Sequence, residues 1–534
     1  MQSVARLDHQ FVWHPFTQMR QWLTREPIVI QAGAGAVLRD VRGRDYLDAN
    51  SSIWTNLHGH CHPKLDAALR RQLKRIAHSS ALGLANEPAS RLAARLVAAA
   101  NAENKRAAGV SPKHSVPATT SKVFFSDDGS TALEVALKLA YEYTRRTRGP
   151  KTRPRFLSLQ GAYHGDTVGA VSLGQIPLFR KAYAGLLFNV DQVPAPYCYR
   201  CPYNRARPER ADARSYRQCQ WECVGEFEQV LHARKKKRAE PYAAFVFEPL
   251  IQGAAGMIPQ PSGWLSRIVE LIRPDRTLLI ADEVMTGFGR TGVSSDSTAD
   301  APIGTDRGRA VPKQDGIFAT MRAGVKPDFL CLAKGLTGGY LPMAATLTTQ
   351  AVFDAFLGEY EEFKTFFHGH SYTGNQLGAS VALASLDVLE GRDSIRARAR
   401  LQQAMNDSLQ LLWGLPNVGD VRQVGLIAGI ELVKNWRTRE AFDLRQQIGA
   451  RVCDAMARRG VLTRPIGNVI VLMPPYCTTP AQVRKTVSAM AEAIEETMGR
   501  AGPGSAGPLG GARPAGPAPP ASSGRNPFLH RDQS

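Results

Sequence analysis

Apolar residues come in short unbroken runs through the middle of the chain: 123–125 (VFF), 156–159 (FLSL), 244–247 (AFVF), 278–281 (LLIA) and 329–332 (FLCL). A strand with one face in water alternates apolar and polar residues, whereas a strand covered on both faces need not. Runs of this kind predict a parallel sheet held between layers of helix. Helical spacing separates some of the runs, most clearly over 132–143 (ALEVALKLAYEY). The predicted fold class is α/β.

The pattern breaks in three places. Segment 293–316 is polar and predicts an insertion loop, and 107–121 predicts a shorter one. From 501 to 534 Gly, Pro, Ala and Ser dominate, so little apolar surface could offset the entropy of ordering, and a disordered tail is expected. No internal repeat is visible.

Composition changes this picture little. The 534 residues are 43% hydrophobic and 21% charged, ordinary values for a globular protein. No apolar run approaches the roughly 18 residues that would predict a transmembrane helix. The first residues lack the apolar core of a secretory leader, so a cytoplasmic setting is expected. Lys and Arg number 67 against 47 Asp and Glu, a formal net charge of +20. The excess sits in Arg145–Arg155, Arg200–Arg217 and Arg234–Arg238. Aromatic residues do not interleave regularly with these runs, as a base-stacking surface requires, so a solvated basic face is expected rather than a nucleic-acid partner.

Eight cysteines without a leader predict free thiols. Four of them, Cys198, Cys201, Cys219 and Cys223, follow a C-x-x-C and C-x-x-x-C pattern that could surround a zinc ion. The alternative is a surface loop with incidental thiols.

Ligands of open parallel sheets bind beyond the carboxyl ends of the strands, so the residues after each run are candidates. Gly129 and Ser130 follow the first run and open a helix, where backbone N–H groups favour an anion such as a phosphate. Thr131 and Glu134 have capping-box spacing there. Tyr163 follows the second run and offers an aromatic plate. Asp282 and Glu283 leave the fourth, where a desolvated carboxylate needs a cation. Lys334 ends the fifth, a position from which lysine ordinarily snorkels to solvent. Together these are the parts that pyridoxal 5'-phosphate requires: a lysine for the Schiff base, an acid for the pyridine nitrogen and a phosphate site. Lys334, once freed, is then the natural base for a 1,3-proton shift.

Residues 10–497 resemble the class III aminotransferases, and within them the branch acting on 8-amino-7-oxononanoate in biotin biosynthesis. The matching strings are WHPFT from Trp13, FFSDDGSTALEVALKLA, YHGDT from Tyr163, EPLIQGAAGM, LLIADEVMTGFGRTG, LAKGLTGGYLP, FFHGHSYTGNQLG, TRPIGN from Thr463 and LMPPY. The resemblance implies a fold-type-I PLP-dependent transferase: a large domain with a mostly parallel seven-stranded sheet, and a small α+β domain built from both chain ends. The expected boundaries are 1–74, 75–370, 371–500 and the tail 501–534. It implies that Lys334 carries the cofactor, Asp282 faces its ring nitrogen and Tyr163 lies over the ring. Gly129 and Ser130 would bind the phosphate, with Ser371 and His370 reaching it from the other subunit of a homodimer. Arg464 would pair with the substrate carboxylate. Phe16, Ile53, Trp54, Gly369 and Arg290 would line the substrate pocket, a structural ion pair being the alternative for Arg290.

The commonest pattern of this branch has Tyr at Phe16, Trp-Trp at Ile53-Trp54 and Pro-Thr at His370-Ser371. These departures resemble a sub-branch using L-lysine as amino donor, so lysine competes with S-adenosylmethionine, the default. An ω-amino acid–pyruvate aminotransferase is a further alternative. An inactive basic binding or scaffold protein on the same fold is the reading from a different class.

Overall fold

All five apolar runs become strands of one sheet. The protein, seen in a computed structural model, is described over residues 3–102, 119–237, 239–293 and 316–499. The expected tail, most of the 293–316 insertion and most of the 107–121 loop lie outside the described residues.

Near the N-terminus, β1 (Ile30–Ala34), β2 (Val37–Asp40) and β3 (Asp45–Asp48) form an antiparallel meander. The large sheet follows: β4 (Thr120–Ser126), β5 (Phe156–Leu159), β6 (Asp191–Val193) and β7 (Ala244–Phe247). A short hairpin of β8 (Ile251–Gln252) and β9 (Ile258–Pro259) interrupts it before β10 (Leu278–Asp282), β11 (Phe329–Leu332) and β12 (Ala344–Thr349). The order is β4-β12-β11-β10-β7-β5-β6. Every pairing is parallel except the two made by β12. Towards the C-terminus, β13 (Val418–Val424), β14 (Ile427–Asn435), β15 (Glu440–Ala441), β17 (Pro465–Ile466) and β18 (Val469–Leu472) make a second antiparallel sheet. The strand β16 (Val461–Leu462) pairs in parallel with β3, joining the two ends of the chain.

The absence of alternation has the expected cause. Leu157, Leu159, Phe245, Phe247, Leu279 and Leu330 face one apolar cluster, while Phe156, Ala244, Val246, Ile280 and Phe329 face another. Successive residues thus enter opposite cores, each buried large side chain contributing about 1.5–3 kcal/mol. The helix Gly129–Arg148 covers one face through Leu133, Ala136 and Ala140. The other face packs on the helices Trp264–Ile272 and Gln376–Glu390.

One expectation is corrected at this level and another in part. The capping box is made by Asp128 and Thr131, not by Thr131 and Glu134. Glu134 instead accepts from Thr167 Oγ1 at 2.5 Å and Gly169 N at 2.9 Å, tying the helix to the next loop. The expectation of a solvated basic face holds only in part: Lys151, Arg153, Arg205, Arg207, Lys235, Lys236 and Lys237 are exposed, while several arginines of the runs bond to the protein. Arg148 donates to the carbonyls of Pro241 and Arg276, Arg210 to those of Trp413 and Leu415, and Arg146 to those of Ala355 and Lys364. Arg155 pairs with Asp191 and Arg200 with Glu431. Among the described residues no helix is long and apolar enough to cross a membrane.

Candidate active site

The parallel strands end at a cleft of about 490 Å³. Asp127, Asp128, Gly129 and Ser130 enter it after β4, Tyr163 and His164 after β5, Glu248 after β7, Asp282 at the end of β10 and Lys334 after β11. Trp54 reaches it from the N-terminal region. Six of the expected site residues (Gly129, Ser130, Tyr163, Asp282, Lys334 and Trp54) therefore meet in one place.

The first-turn N–H groups of a helix have no partner within it. In Gly129–Arg148 that of Thr131 is taken by Asp128 Oδ1 at 2.9 Å, and those of Gly129 and Ser130 have no acceptor among the described residues. At the start of a 20-residue helix they also carry the positive end of its dipole. Gly165 lets the Tyr163 loop approach this turn: its φ is +124°, and a Cβ would lie 2.1 Å from Ser130 Oγ.

Asp282 meets His164, whose Nδ1 lies 2.8 Å from Asp282 Oδ2 in a pair almost wholly removed from solvent. His164 Nε2 is buried with no hydrogen-bond partner. Glu248 accepts from Gly253 N at 2.7 Å, and burial pushes its carboxyl up to about 7. Burial also lowers Lys334, against the opposing pull of Asp282 and Glu248. Lys334 does not snorkel outward; its Nζ lies 4.6 Å from the centre of the Trp54 ring. Tyr163 Oη donates to Asp166 Oδ2 at 2.7 Å, and burial with this carboxylate raises the phenol far above its usual range.

Trp54 is held at the end of an unusual turn. Ser51, Ser52, Ile53 and Trp54 all have positive φ, between 47° and 67°. Left-handed backbone costs L-residues about 1–2 kcal/mol each, so four in succession need external support.

The remaining candidates are arranged differently. His370 Nδ1 is 2.9 Å from Asp127 Oδ2, at the cleft of its own chain. Phe16, 63% exposed, stacks edge-on against Phe179, which in turn meets Tyr163. Ile53, Gly369, Ser371 and Arg464 are exposed and are not among the residues lining the cleft. Arg290 makes no ion pair among the described residues. It is 1% exposed and donates to the carbonyls of Pro474 at 2.8 Å, Asn56 at 2.9 Å and Trp54 at 3.4 Å. As for zinc at Cys198, Cys201, Cys219 and Cys223, no group of three or more His, Cys, Asp or Glu able to hold a metal is present among the described residues. Burial, with the neighbouring thiols of the same loop, pushes Cys198 up to about 12 and Cys223 to about 11.

Residue patterns alone had assigned no role to His164, Glu248 or Phe179. His164 carried a faint signal, since it follows Tyr163 in a strand-end loop; Phe179 carried none.

These residues fit a phosphorylated aromatic aldehyde: an anion cradle at a helix start, a lysine of lowered basicity, and a carboxylate kept by a buried histidine. Comparison with known proteins gives the same result. The family model described as aminotransferase class-III matches residues 19–300 and 314–494. The protein named adenosylmethionine-8-amino-7-oxononanoate aminotransferase from Nitratidesulfovibrio vulgaris is 45% identical over 91% of this chain and 81% of its own length. Its namesake from Geobacter sulfurreducens is 43% identical over 93% and 98%. The crystal structure of the Methanocaldococcus jannaschii protein of that name superposes with a TM-score of 0.76 at 37% identity, over 92% of this chain and 98% of that one. An amine transaminase from an uncultivated Pseudomonas species, solved in its PLP-bound form, gives 0.76 at 31% identity, over 91% and 98%. This chain belongs to the class-III aminotransferase family.

Proposed function

We propose that this protein is a PLP-dependent aminotransferase that converts 8-amino-7-oxononanoate to 7,8-diaminononanoate in biotin biosynthesis, with S-adenosylmethionine as amino donor. The observation that carries the reading is the meeting of Lys334, Asp282, Tyr163 and the Gly129–Ser130 helix start in one cleft, in a chain whose relatives bear that name. A binding protein has no need of that set.

Bound here, PLP supplies a carbonyl that exchanges amino groups and a ring that delocalises the electrons released at the donor carbon. The chain's residues do the rest. The N–H groups of Gly129 and Ser130 anchor the phosphate. The Asp282 carboxylate, oriented by His164, favours a protonated ring nitrogen. Lys334, its basicity lowered by burial, spends more of its time as a neutral amine able to take the proton from the donor carbon and return it one position away. Tyr163, fixed by Asp166, would offer the bound cofactor an aromatic face.

The homodimer belongs to this proposal. Leu82, Phe367 and Tyr372 are 92%, 71% and 62% exposed in the single chain, and a second copy would cover such residues while bringing its Ser371 and Gly369 to the site. Arg464, without an ion pair among the described residues, would receive the substrate carboxylate. We take 75–370 as the cofactor domain and 1–74 with 371–500 as the small domain. Eight free thiols suit a reducing compartment, the cytoplasm.

The test is product formation from 8-amino-7-oxononanoate with one donor at a time. Mass-spectrometric appearance of 7,8-diaminononanoate with S-adenosylmethionine supports the proposal. Its appearance with L-lysine alone moves the donor; turnover of ω-amino acids with pyruvate, and none of the oxononanoate, overturns the substrate. Phe16 favours keeping lysine in this test, because its phenyl ring, packed on Phe179, offers the donor no hydroxyl.

A further inference from the structure

The turn that carries Trp54 contains no glycine, and what holds it lies outside the cleft. Asp48, the last residue of β3, is 4% exposed. Its Oδ1 accepts from Ser52 N at 3.0 Å and Asn50 N at 3.3 Å; its Oδ2 accepts from Ser52 Oγ at 3.0 Å and lies 3.0 Å from His60 Nε2. The amide of Asn56 lies 3.1 Å from His60 Nδ1 through its Nδ2, which can only donate. Nδ1 therefore accepts, and Nε2 carries the hydrogen that points at Asp48. One carboxylate thus gathers four donors, two of them backbone N–H groups: that of Ser52 within the left-handed segment and that of Asn50 just before it. At the other end of the turn Trp54 Nε1 donates to Asn50 Oδ1 at 2.7 Å, and the ring face lies under Lys334 Nζ. An indole face attracts an ammonium, so the placement of this ring bears on the lysine that exchanges the proton.

We propose that Asp48 is a positioning residue for transamination: by holding Asn50 and Ser52 it keeps the Ser51–Trp54 turn left-handed and sets Trp54 against Lys334, touching neither substrate nor cofactor itself. The inference deepens the transaminase reading and rests on it for its kinetic part only.

Holoprotein labelled with 5-fluorotryptophan provides the test, with the Trp54 fluorine resonance assigned by its loss in W54F. In D48N the Trp54 resonance shifts while the visible absorbance of the bound cofactor is retained. KM for the amino donor rises about tenfold and kcat changes less than about threefold, the scale expected when a contact is misplaced by a fraction of an ångström. Glycine enters the left-handed region freely, so S52G in the D48N background returns the resonance towards its original position and recovers at least half of the logarithmic loss in KM. Should D48N not fold, H60Q removes a single donor from Asp48 and shifts the resonance in the same direction by less. An unmoved resonance and unchanged KM in D48N overturn the proposal, and for H60Q an unmoved resonance does so. A loss that S52G does not recover, accompanied by a lower melting temperature, also overturns it, because Asp48 then only stabilises the meander. If the resonance behaves as expected and no donor is turned over even by the unaltered protein, the functional reading fails and the positioning role stands.

Discussion

His164 Nδ1 lies 2.8 Å from Asp282 Oδ2, and the two side chains are 0% and 7% exposed. They are 118 residues apart in the chain, delivered by β5 and β10, the strands on either side of β7. The histidine holds the carboxylate in place and supplies a hydrogen-bond partner where both side chains are almost wholly buried. Removing it by His164→Ala takes away a charge-assisted hydrogen bond of about 1.5–3 kcal/mol, so kcat/KM should fall about 10- to 100-fold. His164→Asn, which keeps a donor of shorter reach, should lose less. Equal activity of all three proteins would show that Asp282 needs no such partner.

Lys334→Ala should lower activity by at least about 10³-fold, the upper range of a lost acid–base group. The visible absorbance that the cofactor acquires on binding should change as well. Lys334→Arg should be no better, since a guanidinium stays protonated and cannot act as the base. Titration with PLP followed by absorbance checks both.

Arg290 is a structural brace, so its replacement should act on stability before chemistry. Arg290→Met leaves the carbonyls of Pro474, Asn56 and Trp54 without their donor and should cost about 2–4 kcal/mol. Urea unfolding measures this. A variant of full stability with impaired turnover would return Arg290 to the substrate site.

Burial pushes Glu283 from an ordinary 4.5 up to about 7, and Glu248 shifts in the same way. The folded protein therefore holds protons that the unfolded chain has released. Their contribution to stability is fully present below about pH 4.5 and is lost as the pH rises to about 7, by roughly 3 kcal/mol for each group. Glu283→Gln should flatten part of that decline in urea midpoints measured between pH 4.5 and 7.5. A decline equally steep in the variant would place the titration elsewhere.

The loop of Cys198, Cys201, Cys219 and Cys223 should bind no metal. Thiol titration in denaturant should count eight free groups, and elemental analysis should find far less than one zinc per chain. Stoichiometric zinc would overturn this.

Much of the sheet was legible because both of its faces are buried, and five strands therefore announce themselves as apolar runs. β12 (AATLTT) did not, although all six of its residues are buried. Its polar atoms are satisfied inside: Thr346 Oγ1 donates to Ala132 O at 2.8 Å and Thr348 Oγ1 to Asp328 O at 3.1 Å. Hydropathy cannot distinguish a threonine paired in this way from one in water. The capping box was misassigned for a related reason. Glu134 has the right spacing, but the Thr167–Ala170 segment offers it three donors that a local pattern cannot foresee.

The sequence by itself determined the five strands buried on both faces and the chemical set, because strand runs, helix starts and the residues just after them are local and periodic. It placed Lys334, Asp282, Tyr163, Gly129 and Ser130 at strand ends, and the topology of parallel sheets implied that such ends converge. Only the tertiary structure decided which groups hold them there. His164 beneath Asp282, Asp48 behind the turn of Trp54, Arg290 on three carbonyls and the arginines folded back onto main chain depend on the direction and distance of single polar atoms. Several of those atoms are separated by a hundred or more residues, and hydrogen bonds of that kind leave no period in a sequence.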